Sequence, residues 1–343
     1  ALVEAAFAET GLARSPRLAD VELPRTSNQL RAAAAACRSG SWALPTIDTA
    51  AGIRSCYQAI GPVCVFGPNN FPFAFGSVSG GDFAAAIAAG NPVIGKANSS
   101  HPETTRLFAE QAADAIQQCG LPAATVQLIY RTSHEDGRRL VADPRIGATG
   151  YTGSRGAGLK LKSAADQAGK PSYLELSSVN PVVITPAALK QRRDDIVGDF
   201  VTSVLMGAGE FCTNPGLVLL IKDADSDAFI EAVTEKFKSA AAGTLLSPAV
   251  ANSLSASVKT LVEFGAKLLT GGGEPESGRC AYANTLLRAD AAEFLANPDG
   301  FQTEAFGNAS LIVVADDLDQ LCQSIARLEG NLTGCVYTAT DGS

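Results

Sequence analysis

The chain alternates short apolar runs with alanine-rich stretches of helical period, and it does so in two long series. In the first series Val63-Cys64-Val65-Phe66 is a continuous apolar run closed by Gly67-Pro68, the form of a buried strand. Residues 81–89 then read as helix, Pro92-Val93-Ile94 as strand, 102–119 as helix and 126–130 as strand. A short helix over 135–141, a strand over 146–151 and a helix over 156–168 complete it. In the second series strands are predicted over 181–184, 217–221, 266–269 and 311–314, with helices over 194–206, 225–241, 254–264 and 317–327. Ahead of both, 27–37 reads as helix, ended by Ser39-Gly40-Ser41, and 41–59 as an irregular arm or connector containing Pro45 and Gly52. Strands separated by helices are how a parallel sheet with crossover connections is written in sequence. The fold class is therefore α/β: two parallel-sheet lobes meeting near residue 177, with an extended arm.

Composition narrows the function classes. An apolar content of 46% with 18% charged residues is a globular balance, and the formal net charge of -8 argues against a nucleic-acid partner. No apolar run approaches a membrane span, and the first residues lack the basic n-region of a secretion signal, so no membrane partner is expected. The eight cysteines are scattered without a Cys-x-x-Cys, the pattern of reduced thiols in a cytoplasmic protein. Only His101 and His134 are available as histidines, both in loop-like settings; that leaves little for a zinc site, and no metal is expected.

Three segments carry candidate chemistry. Gly207-Ala208-Gly209-Glu210-Phe211-Cys212-Thr213-Asn214-Pro215-Gly216 places a cysteine among small residues between a helix and a strand, where an exposed backbone N–H could stabilise an oxyanion on a thiol adduct. Phe66-Gly67-Pro68-Asn69-Asn70-Phe71-Pro72 follows a strand at the edge where α/β sheets bind ligands, and an asparagine amide there can donate to a developing negative oxygen. In Tyr173-Leu174-Glu175-Leu176-Ser177-Ser178-Val179-Asn180-Pro181 a single carboxylate stands in an apolar, neutral stretch, a setting suited to a general base.

In this order the three segments resemble the aldehyde dehydrogenase superfamily. Three further stretches match it: Pro92-Val93-Ile94-Gly95-Lys96, Tyr151-Thr152-Gly153-Ser154 with Gly158, and Glu304-Ala305-Phe306-Gly307. The resemblance implies oxidation of a small-molecule aldehyde to an acid, with Cys212 as nucleophile. Asn70 and the Cys212 N–H would form the oxyanion hole, and Glu175 would activate the water that hydrolyses the thioester. It implies a nicotinamide cofactor held by Lys96 and Ser99 at the adenosine ribose, Gly153, Ser154 and Gly158 at the phosphates, and Glu304 and Phe306 at the nicotinamide ribose. It also implies a dinucleotide-binding domain over 1–40 and 60–177, a bridging or oligomerisation arm over 41–59, a catalytic domain over 178–343, and a homodimer or homotetramer. Family members continue beyond Tyr337 with more catalytic-domain sequence and an oligomerisation strand; the start and the 47–54 segment also look short for the family.

Departures from the family pattern sharpen the expectation. A glutamate often found three residues after the ribose lysine, where it would repel a 2′-phosphate, is Ser99 here. NADP is therefore expected to be accepted and preferred over NAD, with Lys96 as the nearby cation and Arg131 as a helper. The motifs around Asn70, Glu175 and Cys212, together with Glu135-Asp136-Gly137 and the 22–31 segment, resemble the α-ketoglutarate semialdehyde dehydrogenase branch. Alternatives are an NADP-dependent long-chain fatty aldehyde dehydrogenase, a CoA-acylating or other thioester-handling relative, and a structural protein that has lost catalysis. Glu210 stands where the branch carries glutamine; aimed at Cys212 it would repel a thiolate, but the expected arrangement is that it points away or pairs with a cation.

Overall fold

The computed structural model describes residues 1–273 and 280–342, in two compact units, Ala1–Leu176 and Ser177–Ser343. Unit one opens with helix α1 (Leu2–Thr10), an irregular helical segment (Arg14–Glu22) and α2 (Leu23–Ser39), which Gly40 ends at a left-handed φ of 65°. A two-stranded antiparallel hairpin follows, β1 (Thr46–Asp48) and β2 (Ile53–Ser55). The unit's sheet consists of β3 (Val63–Phe66), β4 (Val93–Lys96), β5 (Val126–Ile129), β6 (Ala148–Thr152) and β7 (Ser172–Glu175). Its order is β5-β4-β3-β6-β7, parallel throughout. The crossovers are α3 (Gly81–Ala88), α4 (Pro102–Gln118), α5 (His134–Ala142) and α6 (Arg155–Gln167). After β5 the chain returns to the far side of β3, so strand order reverses between β3 and β6. Ligands of open α/β sheets bind at the carboxyl ends beside such a reversal.

Unit two holds a six-stranded sheet: β8 (Val182–Ile184), β9 (Leu217–Ile221), β10 (Lys267–Thr270), β11 (Thr285–Asp290), β12 (Ala309–Ala315) and β13 (Cys335–Tyr337). The order is β10-β11-β12-β9-β8-β13, and only the β10–β11 pairing is antiparallel. The helices are α7 (Pro186–Leu205), kinked at Arg192, then α8 (Ala224–Ser239), α9 (Pro248–Glu263), α10 (Ala291–Ala296), α11 (Pro298–Phe301) and α12 (Leu318–Ile325). Their starts are chemically marked. The Thr185, Asp223, Ser247 and Asp317 side chains each accept a first-turn backbone N–H. Leu217 and Leu219 face one apolar core while Val218 and Leu220 face the other, so every residue of central β9 from 217 to 220 is buried, which is why it reads as an unbroken apolar run. Among the described residues no helix is long and apolar enough to cross a membrane.

Several elements depart from the sequence expectation. The 41–59 arm is not irregular but carries the β1–β2 hairpin, whose turn is closed by the Asp48 carboxylate accepting Ala50 and Ala51 N–H. β11 (Thr-Leu-Leu-Arg-Ala-Asp) was not anticipated; it pairs on both edges and its first three residues are buried. α1, α10, α11, β7 and β13 were likewise not anticipated, being short or amphipathically weak. His101, expected in a loop-like setting, is almost fully buried at the start of α4.

Candidate active site

In unit one the loop after β3 is held at nearly every residue. Asn98 Nδ2 donates to the Gly67 carbonyl at 3.1 Å, and His101 Nε2 meets the Pro68 carbonyl at 3.1 Å. Burial is the main cause holding His101 below the ordinary histidine range, so the ring is neutral at pH 7 and its Nε2–H is the donor. Arg17 donates to the Asn70 carbonyl at 2.7 Å, and Asn70 itself is buried. The loop is thus fixed before any ligand arrives, as an oxyanion donor requires.

The remaining candidates of unit one gather at the carboxyl ends of its strands. Lys96 closes β4 and is half-buried; burial, then the Arg131 guanidinium, holds its ammonium below the ordinary lysine range. Two cations placed close enough to disfavour each other form a ready site for a phosphate. Ser99 lies exposed in the next turn. Thr152 pairs with Glu175 in adjacent strands, and Gly153 N–H donates to the Glu175 carbonyl at 3.1 Å, which ties the general-base candidate to the phosphate-turn candidate. Tyr151 Oη donates to the Ser154 carbonyl at 3.0 Å. A Cβ on Gly153 would lie 2.8 Å from Tyr151 Oη, and one on Gly158 would run into Leu176 and lie 2.9 Å from Tyr151 Cε1. Both positions therefore need glycine. Ser154 sits at the start of α6, yet its hydroxyl makes no cap hydrogen bond. With Ser154 exposed at a helix N-terminus and a cationic pair on the same sheet edge, this turn fits a dinucleotide phosphate.

Unit two holds Cys212, Glu304 and Phe306. The cysteine loop begins with three successive left-handed residues, Gly207, Ala208 and Gly209, at φ 56°, 58° and 70°. A Cβ on Gly209 would run into the Gly307 carbonyl, so the loop rests directly on the backbone of the Glu304–Gly307 turn. Half-buried Cys212 is fixed through its carbonyl, which accepts Asn180 Nδ2 at 2.9 Å. The same Nδ2 donates to Asn214 O at 2.8 Å, and Asn214 Nδ2 to Gly307 O at 3.0 Å. Asn180 takes a left-handed φ of 47° and is held in turn by Asn331. The Asn331 Oδ1 accepts Val179 N–H at 2.9 Å, Asn180 N–H at 3.1 Å and the Ser178 hydroxyl at 3.0 Å. Glu304 and Phe306 line a small pocket with Phe211 and Asn214. Burial pushes the Glu304 carboxyl up, partly offset by the Ser177 hydroxyl and the Ser178 N–H.

Glu210 is buried with Oε1 accepting Leu246 N–H at 2.9 Å. Burial pushes its carboxyl up to about 8, with the Leu246 N–H pulling the other way. Below that pH the group is a neutral acid.

Comparison with known proteins places this geometry. The model of the aldehyde dehydrogenase family matches residues 1–342. The chain belongs to the aldehyde dehydrogenase family. It is 40% identical to alpha-ketoglutaric semialdehyde dehydrogenase 2 of Azospirillum brasilense, over 99% of this chain and 66% of that protein. It is 36% identical to alpha-ketoglutaric semialdehyde dehydrogenase of Acinetobacter baylyi, over 98% of this chain and 65% of that protein. The chain thus spans just under two thirds of the length of these curated relatives. Its fold is that of succinic semialdehyde dehydrogenase from Streptococcus pyogenes, solved with NADP+, at a TM-score of 0.78, 19% identity, 99% coverage of this chain and 73% of that one. It is equally that of HpcC from Thermus thermophilus, at a TM-score of 0.82, 20% identity, 98% coverage of this chain and 66% of that one.

Within unit one the fold brings Lys96, Gly153, Ser154, Gly158 and Glu175 to one sheet edge; within unit two Gly209 and Asn214 seat the Cys212 loop on the backbone of Gly307, next to Glu304 and Phe306. Sequence reasoning gave no role to Asn180, although it lies in the quoted Glu175 motif, nor to Asn331, His101 or Asn98. Only Asn180 carried a signal, as an asparagine before proline.

Two stability measurements test this description. Glu210→Gln keeps an acceptor for Leu246 but cannot ionise. A carboxyl whose folded pKa is raised loses stability as pH climbs from about 4.5 to about 8. The variant's unfolding free energy should therefore gain on wild type across that window and level off above it, by at most on the order of 5 kcal/mol; parallel curves would refute it. Asn180→Asp aims a carboxylate at two carbonyls and should cost on the order of 1–3 kcal/mol in denaturant unfolding. Asn180→Gly, which keeps the left-handed backbone, should cost less.

Proposed function

We propose that the chain carries the cofactor-binding and nucleophile machinery of an NADP-preferring aldehyde dehydrogenase that converts α-ketoglutarate semialdehyde to 2-oxoglutarate. The observation that carries the reading is the Cys212 loop, whose backbone is hydrogen-bonded to Asn180 while Glu304 and Phe306 line the adjoining pocket. The relatives at 40% and 36% identity support the substrate.

In this reading the Cys212 thiolate attacks the aldehyde carbon, and the oxygen becomes an oxyanion held by Asn70 and the Cys212 N–H. A bound nicotinamide cofactor supplies the acceptor for the hydride lost when this thiohemiacetal becomes a thioester. Glu175 takes a proton from the water that attacks the thioester, releasing the acid and restoring the thiolate. Lys96 and Ser99 hold the adenosine ribose, Gly153, Ser154 and Gly158 the phosphates, and Glu304 and Phe306 the nicotinamide ribose. Residues 1–40 and 60–177 serve as the dinucleotide-binding domain, and 178–343 as the catalytic domain. NADP preference is supported by the Lys96–Arg131 pair beside Ser99, where no carboxylate opposes a 2′-phosphate.

The hairpin arm supports a homo-oligomer. Leu44, Ile47, Ile53 and Tyr57 are 61%, 67%, 59% and 66% exposed, an apolar run that association with a second copy would cover. The eight thiols support a reducing, cytoplasmic setting.

Activity on a panel of 2,5-dioxopentanoate, succinic semialdehyde, glycolaldehyde and a long-chain aldehyde, each with NAD and NADP, tests the assignment. The first should be best, Cys212→Ser should abolish turnover, and free acid should form without CoA. Ser99→Glu should shift the kcat/KM ratio toward NAD by about tenfold or more; a wild-type preference for NAD beyond about tenfold would refute the cofactor reading.

A further inference from the structure

The Asn70 loop is gripped by a charged pair that the reaction above does not use. Glu22 closes the irregular segment Arg14–Glu22, and its side chain is fully buried, ion-paired with Arg17 at 2.5 Å. Its Oε1 accepts two successive backbone N–H groups, Phe73 at 2.7 Å and Ala74 at 3.0 Å. The other terminal nitrogen of Arg17 donates to the Asn70 carbonyl at 2.7 Å, and the guanidinium lies 4.3 Å over the Phe71 ring. Two side chains from one segment therefore hold residues 70, 71, 73 and 74, some 50 positions later in the chain.

A buried ion pair is a poor source of stability, because desolvation cancels much of the attraction and an apolar pair fills the same space as well. What it does supply is direction. The guanidinium presents donors in a rigid fork, and the carboxylate presents lone pairs to two adjacent amides. A group that must meet a developing charge needs that kind of fixation, since small displacements are costly in rate.

We infer that Arg17 and Glu22 are positioning residues for Asn70, setting the peptide from which its amide reaches the oxyanion. The inference rests on the oxyanion role given to Asn70 above. It assigns a task in the reaction to a segment that carries no chemical motif of its own.

The test is a double-mutant cycle on the intact protein. Arg17→Met with Glu22→Gln removes the bond to the Asn70 carbonyl, keeps an acceptor for Phe73 and Ala74, and strands no buried charge. Aldehyde oxidation should lose roughly ten- to a hundredfold in kcat, with cofactor KM changed by no more than about twofold. Alkylation of Cys212 by iodoacetamide, followed by peptide mass, should be unchanged, because that displacement forms no oxyanion. In an Asn70→Ala background the same pair of substitutions should cost no more than about a further twofold, since the group they position is gone. A full further loss in that background would mean the pair acts elsewhere, and would overturn the inference. So would wild-type kcat in the double variant while Asn70→Ala is impaired. Wild-type kcat in Asn70→Ala would instead overturn the Asn70 role, and this inference with it. Arg17→Lys keeps the charge beside Glu22 but not the fork. It should show an intermediate loss, and it runs the same cycle if the double variant does not fold.

Discussion

One side-chain amide stands between the carbonyls of Cys212 and Asn214, and the geometry of the nucleophile loop follows from it. The loop enters through Gly207-Ala208-Gly209 in left-handed conformation, which for Ala208 costs about 1–2 kcal/mol and persists only when the surroundings over-determine it. The Asn180 donors, the Asn214 bond to Gly307 and the backbone contact at Gly209 supply that determination. Asparagine suits the task because one carboxamide offers two directed donors and, unlike most residues, tolerates a positive φ. Asn331 performs the complementary task, its single oxygen accepting the two N–H groups that the left-handed turn leaves facing inward.

Charge is handled by the same economy of burial. Glu210 occupies a place where a carboxylate would oppose a thiolate two residues on, yet desolvation keeps it neutral below about pH 8. A neutral carboxyl presents one oxygen acceptor and one donor, close in shape and polarity to the glutamine expected there, and Leu246 N–H uses the acceptor. Near Lys96 the logic runs the other way. A half-buried ammonium beside the Arg131 guanidinium is an unfavourable arrangement by itself, and it becomes favourable when an anion joins it. Unit one thus concentrates positive charge around Lys96, while unit two keeps a carboxyl two residues from Cys212 uncharged.

Much of the fold was legible. Val63–Phe66 and Leu217–Ile221, both largely buried, announce themselves as apolar runs, and the helix starts at Asp223 and Asp317 carry capping side chains in place. Cys212, Glu175 and Asn70 stood out because small residues and prolines frame them in a fixed order. What escaped had weak local signals. β11 is built from Leu, Arg and Ala, and it is a strand only because β10 and β12 offer hydrogen-bond partners on either side. The β1–β2 hairpin depends on a turn closed by one aspartate.

The sequence by itself determined which segments alternate, where the crossovers fall and which residue types could carry acyl chemistry, because solvation periodicity and turn preferences act over a few neighbouring residues. Only the tertiary structure decided that Asn331 would hold Asn180 from 151 positions away, that Glu22 would reach Phe73 across 51, and that Glu210 would turn to Leu246. Those bonds form between groups whose local sequence does not mention each other. Their geometry exists only once the chain has closed on itself and excluded the water that would otherwise satisfy them.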